Sequence, residues 1–216
     1  MQRILRIGSW SSAVHDWTLC EFKISAPQYR RNTVTVPGLD GAVDLSDALT
    51  GDVHYDMRKL TARLENSSGN RLKRDHWISV LMNALDGTVQ QIWLPDDPCR
   101  FMQGRLRVSV QYSDTAHASV QITADVEPWK YRKAETVIDL TTAAGDNNCV
   151  IRMTDRKPVS PLFQVVNFSD TLKIGSHDVI EPGRYRFPDI TFRHGANDLA
   201  VTGQAVIRIS FREGVL

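Results

Sequence analysis

The sequence predicts a mainly antiparallel β protein in two parts, and three observations carry that reading. Apolar residues recur with a period of two along most of the chain. One stretch alone changes to helical spacing. The last 85 or so residues are cut by turn-forming residues at short, regular intervals, as in a small β-sandwich.

The strands follow in order. Leu60, Ala62 and Leu64 alternate with Lys59, Thr61 and Arg63. Leu106, Val108, Val110 and Tyr112 alternate with Arg105, Arg107, Ser109 and Gln111. Val120, Ile122, Ala124 and Val126 alternate with Ser119, Gln121, Thr123 and Asp125. Near the C-terminus Ala205, Ile207, Ile209 and Phe211 alternate with Val206, Arg208, Ser210 and Arg212. Each predicts a strand with one face in a core and one in water, the pattern of antiparallel sheets.

Residues 71–86 are the exception. Trp77, Ile78, Leu81, Ala84 and Leu85 fall at three- and four-residue steps and make one apolar stripe on a helix. Asn70 is placed to cap its start and Gly87 to end it. Arg71, Lys73 and Arg74 oppose the dipole at its N-terminus. The helix is expected to pack across a sheet face or plug one end of a barrel. A strand over 88–94 should follow, then a turn at Pro95-Asp96-Asp97-Pro98, then Gly104 opening the 105–112 strand.

A boundary is expected near Glu127-Pro128-Trp129-Lys130, giving domains of 1–130 and 131–216. In the second, turns are expected at Gly145-Asp146-Asn147-Asn148, between Pro158 and Pro161, at Gly175-Ser176-His177-Asp178, at Glu181-Pro182-Gly183 and at Gly195-Ala196-Asn197-Asp198.

Composition narrows the function. With 216 residues, 42% hydrophobic and 24% charged, the chain is an ordinary globular protein, and a formal charge of +1 gives no field to gather nucleic acid. No apolar run approaches the length of a membrane span, and no signal peptide is visible. Cys20, Cys99 and Cys149 are odd in number and far apart, which predicts reduced thiols and neither a zinc site nor a disulfide framework. Sequons at Asn66-Ser67-Ser68 and Asn167-Phe168-Ser169 read as coincidental.

Motifs for catalysis are missing. The six histidines show no H-E-x-x-H pairing, and the neighbours His15-Asp16 and His177-Asp178 would point to opposite faces of a strand. No nucleophile elbow, P-loop or dinucleotide fingerprint occurs. No catalytic residue, cofactor or metal ligand is therefore assigned.

The stretch Val36-Pro37-Gly38-Leu39-Asp40-Gly41-Ala42-Val43-Asp44-Leu45-Ser46-Asp47-Ala48-Leu49-Thr50-Gly51 is a turn-rich connection. From 38 to 57 it carries five aspartates, with no lysine or arginine. Their spacing does not fit a calcium loop, and the closing glutamate is missing. Two readings stay open: a solvated loop, or a contact loop in which Asp40, Asp44, Asp47 and Asp52 meet arginines of a neighbouring subunit, a heterologous contact of the kind that builds rings.

Taken as a string of letters, that stretch, with Ala-Leu-Thr-Gly and the strand after it, resembles the N-terminal domain of the distal tail (Dit) protein family of non-contractile, long-tailed phages. Two further places add to the resemblance. One is the order helix, strand, Pro95-Asp96-Asp97-Pro98, Gly104 and strand. The other is the finish, Glu181-Pro182-Gly183, Asn197-Asp198-Leu199-Ala200-Val201-Thr202-Gly203 and Phe211-Arg212-Glu213-Gly214.

The resemblance implies an N-terminal antiparallel β-barrel or sandwich with one helix, tail-tube-like and ring-forming, and a C-terminal galectin-like or carbohydrate-module-like β-sandwich. It implies a virion structural protein and no enzyme: a homo-hexameric hub ring, with DNA passing through its centre, joining the tail tube to the tip of the adsorption apparatus. The implied partners are the tail tube protein, a tail-tip or tail-associated protein and a receptor-binding protein. The implied place is the virion tail tip of a phage or prophage, assembled in the host cytoplasm. The competing class is a lectin-like carbohydrate-binding module that aids host adsorption. Against it, all five tryptophans (10, 17, 77, 93, 129) lie at or before the boundary, away from where a sugar would stack. The H-x-N-P-R string of galectins is also absent.

Overall fold

The computed structural model describes residues 3–14, 17–48, 51–66, 70–112 and 118–216. His15, Asp16, His117 and the Leu49-Thr50 pair of the N-terminal motif lie outside the described residues, as do Ser67 and Ser68 of the first sequon. The chain forms two compact units, Met1–Pro128 and Trp129–Leu216.

Unit 1 holds β1 (Arg6–Ile7), β2 (Trp10–Ser11), β3 (Trp17–Ile24), β4 (Thr33–Val34), β5 (Val43–Asp44), β6 (Arg58–Asn66), α1 (Arg71–Leu85), β7 (Val89–Leu94), β8 (Asp97–Tyr112) and β9 (Ala118–Val126). Its main sheet is antiparallel, in the order β2-β1-β7-β8-β9-β6-β3, while β4 and β5 form a separate hairpin. The period-two pattern has its expected consequence. Leu60, Ala62 and Leu64 on β6 and Val120, Ile122 and Ala124 on β9 face one core, and the alternate residues face outward.

The core of unit 1 also takes Leu5, Ile7, Trp17, Ile92, Met102 and Leu106, with Ile78, Leu81 and Leu85 from the helix. Asn70 caps that helix as expected, its side chain accepting from the Lys73 amide at 3.2 Å. The Asp86 amide reaches Met82 O at 2.9 Å, and Gly87, at φ +72°, turns the chain away. Two positions differ from the predicted stripe: Ala84 is exposed and Arg74 is buried, at 1% exposure. Of the basic trio, Arg71 and Lys73 alone are at the surface. Arg74 lies one turn before Ile78 on the inward side, and its aliphatic stem extends the stripe that the guanidinium hides from a letter-by-letter reading.

The β7–β8 hairpin is tighter than predicted. Pro95 and Asp96 form the turn, and β8 already begins at Asp97. Trp93 pairs with Phe101 but Leu94 with Asp97, so the ladder is irregular where Pro98 lies. A bulge has no use for the N–H that proline lacks, which is why Pro98 is tolerated within a strand. Gly104 does not open a strand but sits in mid-β8. A Cβ there would lie 2.3 Å from Asp125 O and 2.8 Å from Val126 Cα, so the close approach of β9 requires glycine.

Unit 2 holds β10 (Lys130–Arg132), β11 (Thr136–Thr142), β12 (Asp146–Met153), β13 (Leu162–Phe168), β14 (Leu172–Ile174), β15 (His177–Val179), β16 (Gly183–Tyr185), β17 (Gly195–Thr202), β18 (Ala205–Phe211) and β19 (Gly214–Val215). Two four-stranded sheets, β11-β18-β13-β16 and β12-β17-β14-β15, enclose a core that includes Phe163, Val165, Ile174, Phe192, Val201, Ile207 and Ile209. This is the antiparallel β-sandwich that the turn spacing predicts.

Two of the predicted turns are strands from their second residue or earlier. Asp146-Asn147-Asn148 and Gly195-Ala196-Asn197-Asp198 belong to β12 and β17, which pair with each other. Their asparagines still act as turn residues, but backwards. Asn147 donates to Ala143 O (2.8 Å) and Gly145 O (3.0 Å), and Asn197 to Arg193 O (2.7 Å) and Gly195 O (3.2 Å). Each fastens the left-handed glycine turn that precedes its strand.

Candidate functional site

Between the end of β3 and the start of β6 the chain leaves the core. From residue 25 to residue 57 no described residue is buried, although the segment is rich in valine, leucine and tyrosine. Its base is clamped. Ser25 O accepts from Arg58 Nε at 2.7 Å, the Ser25 amide donates to Lys59 O at 2.8 Å, and Ser25 Oγ accepts from the Lys59 amide at 2.9 Å. Arg58 is 5% exposed and gives a further bond to Pro128 O; burial pushes its guanidinium down from the ordinary arginine value.

Beyond the clamp the two limbs run antiparallel as an arm. The Asp56 amide donates to Gln28 O and the Arg30 amide to His54 O, both at 2.8 Å, on either side of a Tyr29–Tyr55 bridge. Farther out, β4 and β5 pair Thr33 with Asp44 and Val34 with Val43. Gly38 and Gly41, at φ +85° and +84°, shape the turn between them, where L side chains would be strained.

The predicted contact residues all lie on this arm, and the structure gives them different surroundings. Asp40 and Asp47 are exposed, with no side-chain partner among the described residues. Asp44 accepts from the Ser46 hydroxyl and amide, which hold its carboxyl below the ordinary aspartate value. Asp52 is half-buried and engaged. Asp56, the fifth aspartate, pairs with Arg30 Nε at 2.8 Å within the arm. Among the described residues no cluster of histidine, cysteine or carboxylate could hold a metal ion.

The aspartates are the lesser feature. Tyr29, Val34, Val36, Leu39, Val43, Leu45, Val53 and Met57 are each 37–55% exposed. So many half-bare apolar side chains on one projection mark a surface that another surface covers. Reading by charge passed over them because valines and leucines in a strand-like pattern imply a core. The available signal was the high density of Gly, Pro and Asp around them, which leaves no long strand to bury them.

Elsewhere the polar residues are accounted for locally. His177 Nε2 is 2.7 Å from Asp189 Oδ1 and its ring stacks on Phe187 at 4.3 Å, while Asp178 pairs with Lys173. The three cysteines are free thiols. No helix among the described residues is long and apolar enough to cross a membrane.

No protein-family model matches the sequence, and no curated protein matches it. The structure finds a likeness that the letters do not. The crystal structure of SPP1 Dit (gp 19.1), described as a paradigm of the hub adsorption apparatus in phages that infect Gram-positive bacteria, superposes with a TM-score of 0.68. The match covers 97% of this chain and 98% of that one, at 16% sequence identity. Across nearly its whole length, the chain carries the fold of the SPP1 Dit protein.

Proposed function

We propose that this chain is a distal tail hub protein of a phage or prophage, a virion structural subunit and not an enzyme. Six copies form a ring at the tail tip that joins the tail tube to the adsorption apparatus, with DNA passing through the centre. The likeness to SPP1 Dit over nearly the whole of both chains carries this reading. The arm supplies its physical support, since an extension with no core of its own needs a partner surface, and a ring gives each copy a neighbour in the same orientation.

In the ring, unit 1 is the tail-tube-like, ring-forming part and unit 2 is the galectin-like part that faces the adsorption apparatus. The partners are the tail tube protein, a tail-tip or tail-associated protein and a receptor-binding protein. Assembly takes place in the host cytoplasm. The arm of each copy lies on the next, its apolar residues buried and Asp40, Asp44, Asp47 and Asp52 set against basic residues at the margin.

Negative-stain electron microscopy, with light scattering at micromolar concentration, tests this. A six-fold ring with a central hole is expected. Monomers at high concentration, together with no ring in assembled tails, would remove the reading.

A further inference from the structure

The outer face of the β11-β18-β13-β16 sheet gathers positive charge in a chain whose formal charge is only +1. The strand register sets Asp139, Arg208, Gln164 and Arg184 in one row across four strands, all on the side opposite the core. One step along, Val137, Ser210 and Leu162 form the next row. There the face hollows into a groove of about 340 Å³, lined among others by Tyr131, Lys157, Ser160, Arg186, Ser210 and Arg212.

Two of these cations are matched: Arg208 Nε lies 2.7 Å from Asp139 and Arg212 3.0 Å from Glu135. Lys157 stands over the Tyr131 ring at 5.0 Å. Arg184 and Arg186 are exposed, with no ion-pair partner among the described residues. The face therefore carries five cations against two carboxylates, and two of its guanidinium groups are available to an incoming oxyanion.

We propose that this face binds an anionic polysaccharide. Its carboxylate or phosphate groups are taken by Arg184 and Arg186, and its hydroxyls by Gln164, Ser160, Ser210 and the arginine-held carboxylates Asp139 and Glu135. The mixture of donors and acceptors decides the class. Sugar hydroxyls both donate and accept, so they can use Asp139 and Glu135 as well as the arginines. An acidic polypeptide would be repelled by those two carboxylates. A protein interface would also centre on an aromatic or aliphatic anchor, and here Tyr131 is 9% exposed beneath Lys157. For the same reason a neutral sugar has no ring face to stack on, so charge must supply the affinity. The proposal does not depend on ring assembly, which is read separately.

The test is binding of the full chain at low salt to immobilised polygalacturonate and to a phosphorylated mannan, with neutral dextran and poly-L-glutamate alongside. The wild type should bind the two anionic glycans above dextran and above polyglutamate. Arg184→Gln with Arg186→Gln should weaken glycan binding about fivefold, the sum of two modest exposed pairs. Lys59→Gln with Arg107→Gln, an equal loss of charge on unit 1, should leave it unchanged. Both pairs are exposed, and circular dichroism would check that each variant is folded. The proposal is overturned if the anionic glycans bind no better than dextran. It is also overturned if polyglutamate binds as well with the same arginine dependence, or if the unit 1 variant loses as much.

Discussion

Replacing Glu213 by alanine should destabilise unit 2 by about 3–5 kcal/mol, the loss expected when one partner of a buried ionic network is removed. Glu213 is 3% exposed. One of its carboxylate oxygens accepts from the Thr154 amide (2.8 Å), the Asp155 amide (2.8 Å) and the Thr154 hydroxyl (2.9 Å); the other accepts from the Thr136 hydroxyl at 2.9 Å. Arg132 stands 3.4 Å away and makes a two-pronged bond to Asp155 at 2.8 and 2.9 Å. Alanine would leave two buried amides without acceptors and Arg132 with one carboxylate fewer. Glutamine keeps one acceptor oxygen and the shape, so it should cost less, about 1–3 kcal/mol. Burial pushes the Glu213 carboxyl up, but the amides and hydroxyls around it pull it further down, to a net position below the ordinary glutamate value. A depressed carboxyl contributes stability that is complete above its unfolded value and is lost as pH falls through its folded value. The wild type should therefore lose stability as pH drops below about 4, and Glu213→Gln should lack that component. Urea unfolding between pH 7 and pH 3 reads both effects. A Glu213→Ala change under 1 kcal/mol, or an acid limb unaltered in Glu213→Gln, would refute the reasoning.

Other predictions concern the arm and the sheet. Val36→Ser, Leu39→Ser and Val43→Ser together should leave the monomer folded, because none of the three is buried, yet abolish rings. Each loses on the order of 1 kcal/mol of apolar burial per contact, which circular dichroism and light scattering would separate from misfolding. Replacing Asp40, Asp44, Asp47 and Asp52 by asparagine should weaken assembly and flatten its dependence on salt; exposed pairs contribute about 0–1 kcal/mol each, so the quadruple change is the informative one. An unchanged ring-to-monomer ratio across ionic strength would return these aspartates to a solvated loop. Gly104→Ala should cost about 1–3 kcal/mol, because the new methyl meets β9 backbone that has no room to move; a neutral thermal shift would show that β8 and β9 can separate there.

The sequence by itself determined the fold class and the helix. Alternation on β6, β8, β9 and β18, and the cap at Asn70 with Gly87 beyond it, are local facts: a period or a capping side chain acts within a few residues, so the letters contain it. It also determined that the second half is a sandwich of short strands, because glycine and asparagine mark where chains reverse. Tertiary structure decided the rest. Arg74 is a surface cation by composition and a buried residue by packing, because only the neighbouring sheet determines how far its stem is covered. Pro98 and Gly104 read as turn residues until β7 and β9 supply the ladder that makes one a bulge and the other a close contact. The arm reads as an acidic loop until its surroundings show that its valines and leucines have no core to enter. The row Asp139, Arg208, Gln164, Arg184 brings together residues up to 69 positions apart, through register that pairwise hydrogen bonding alone sets. Burial and juxtaposition belong to pairs of segments, and no single segment encodes them.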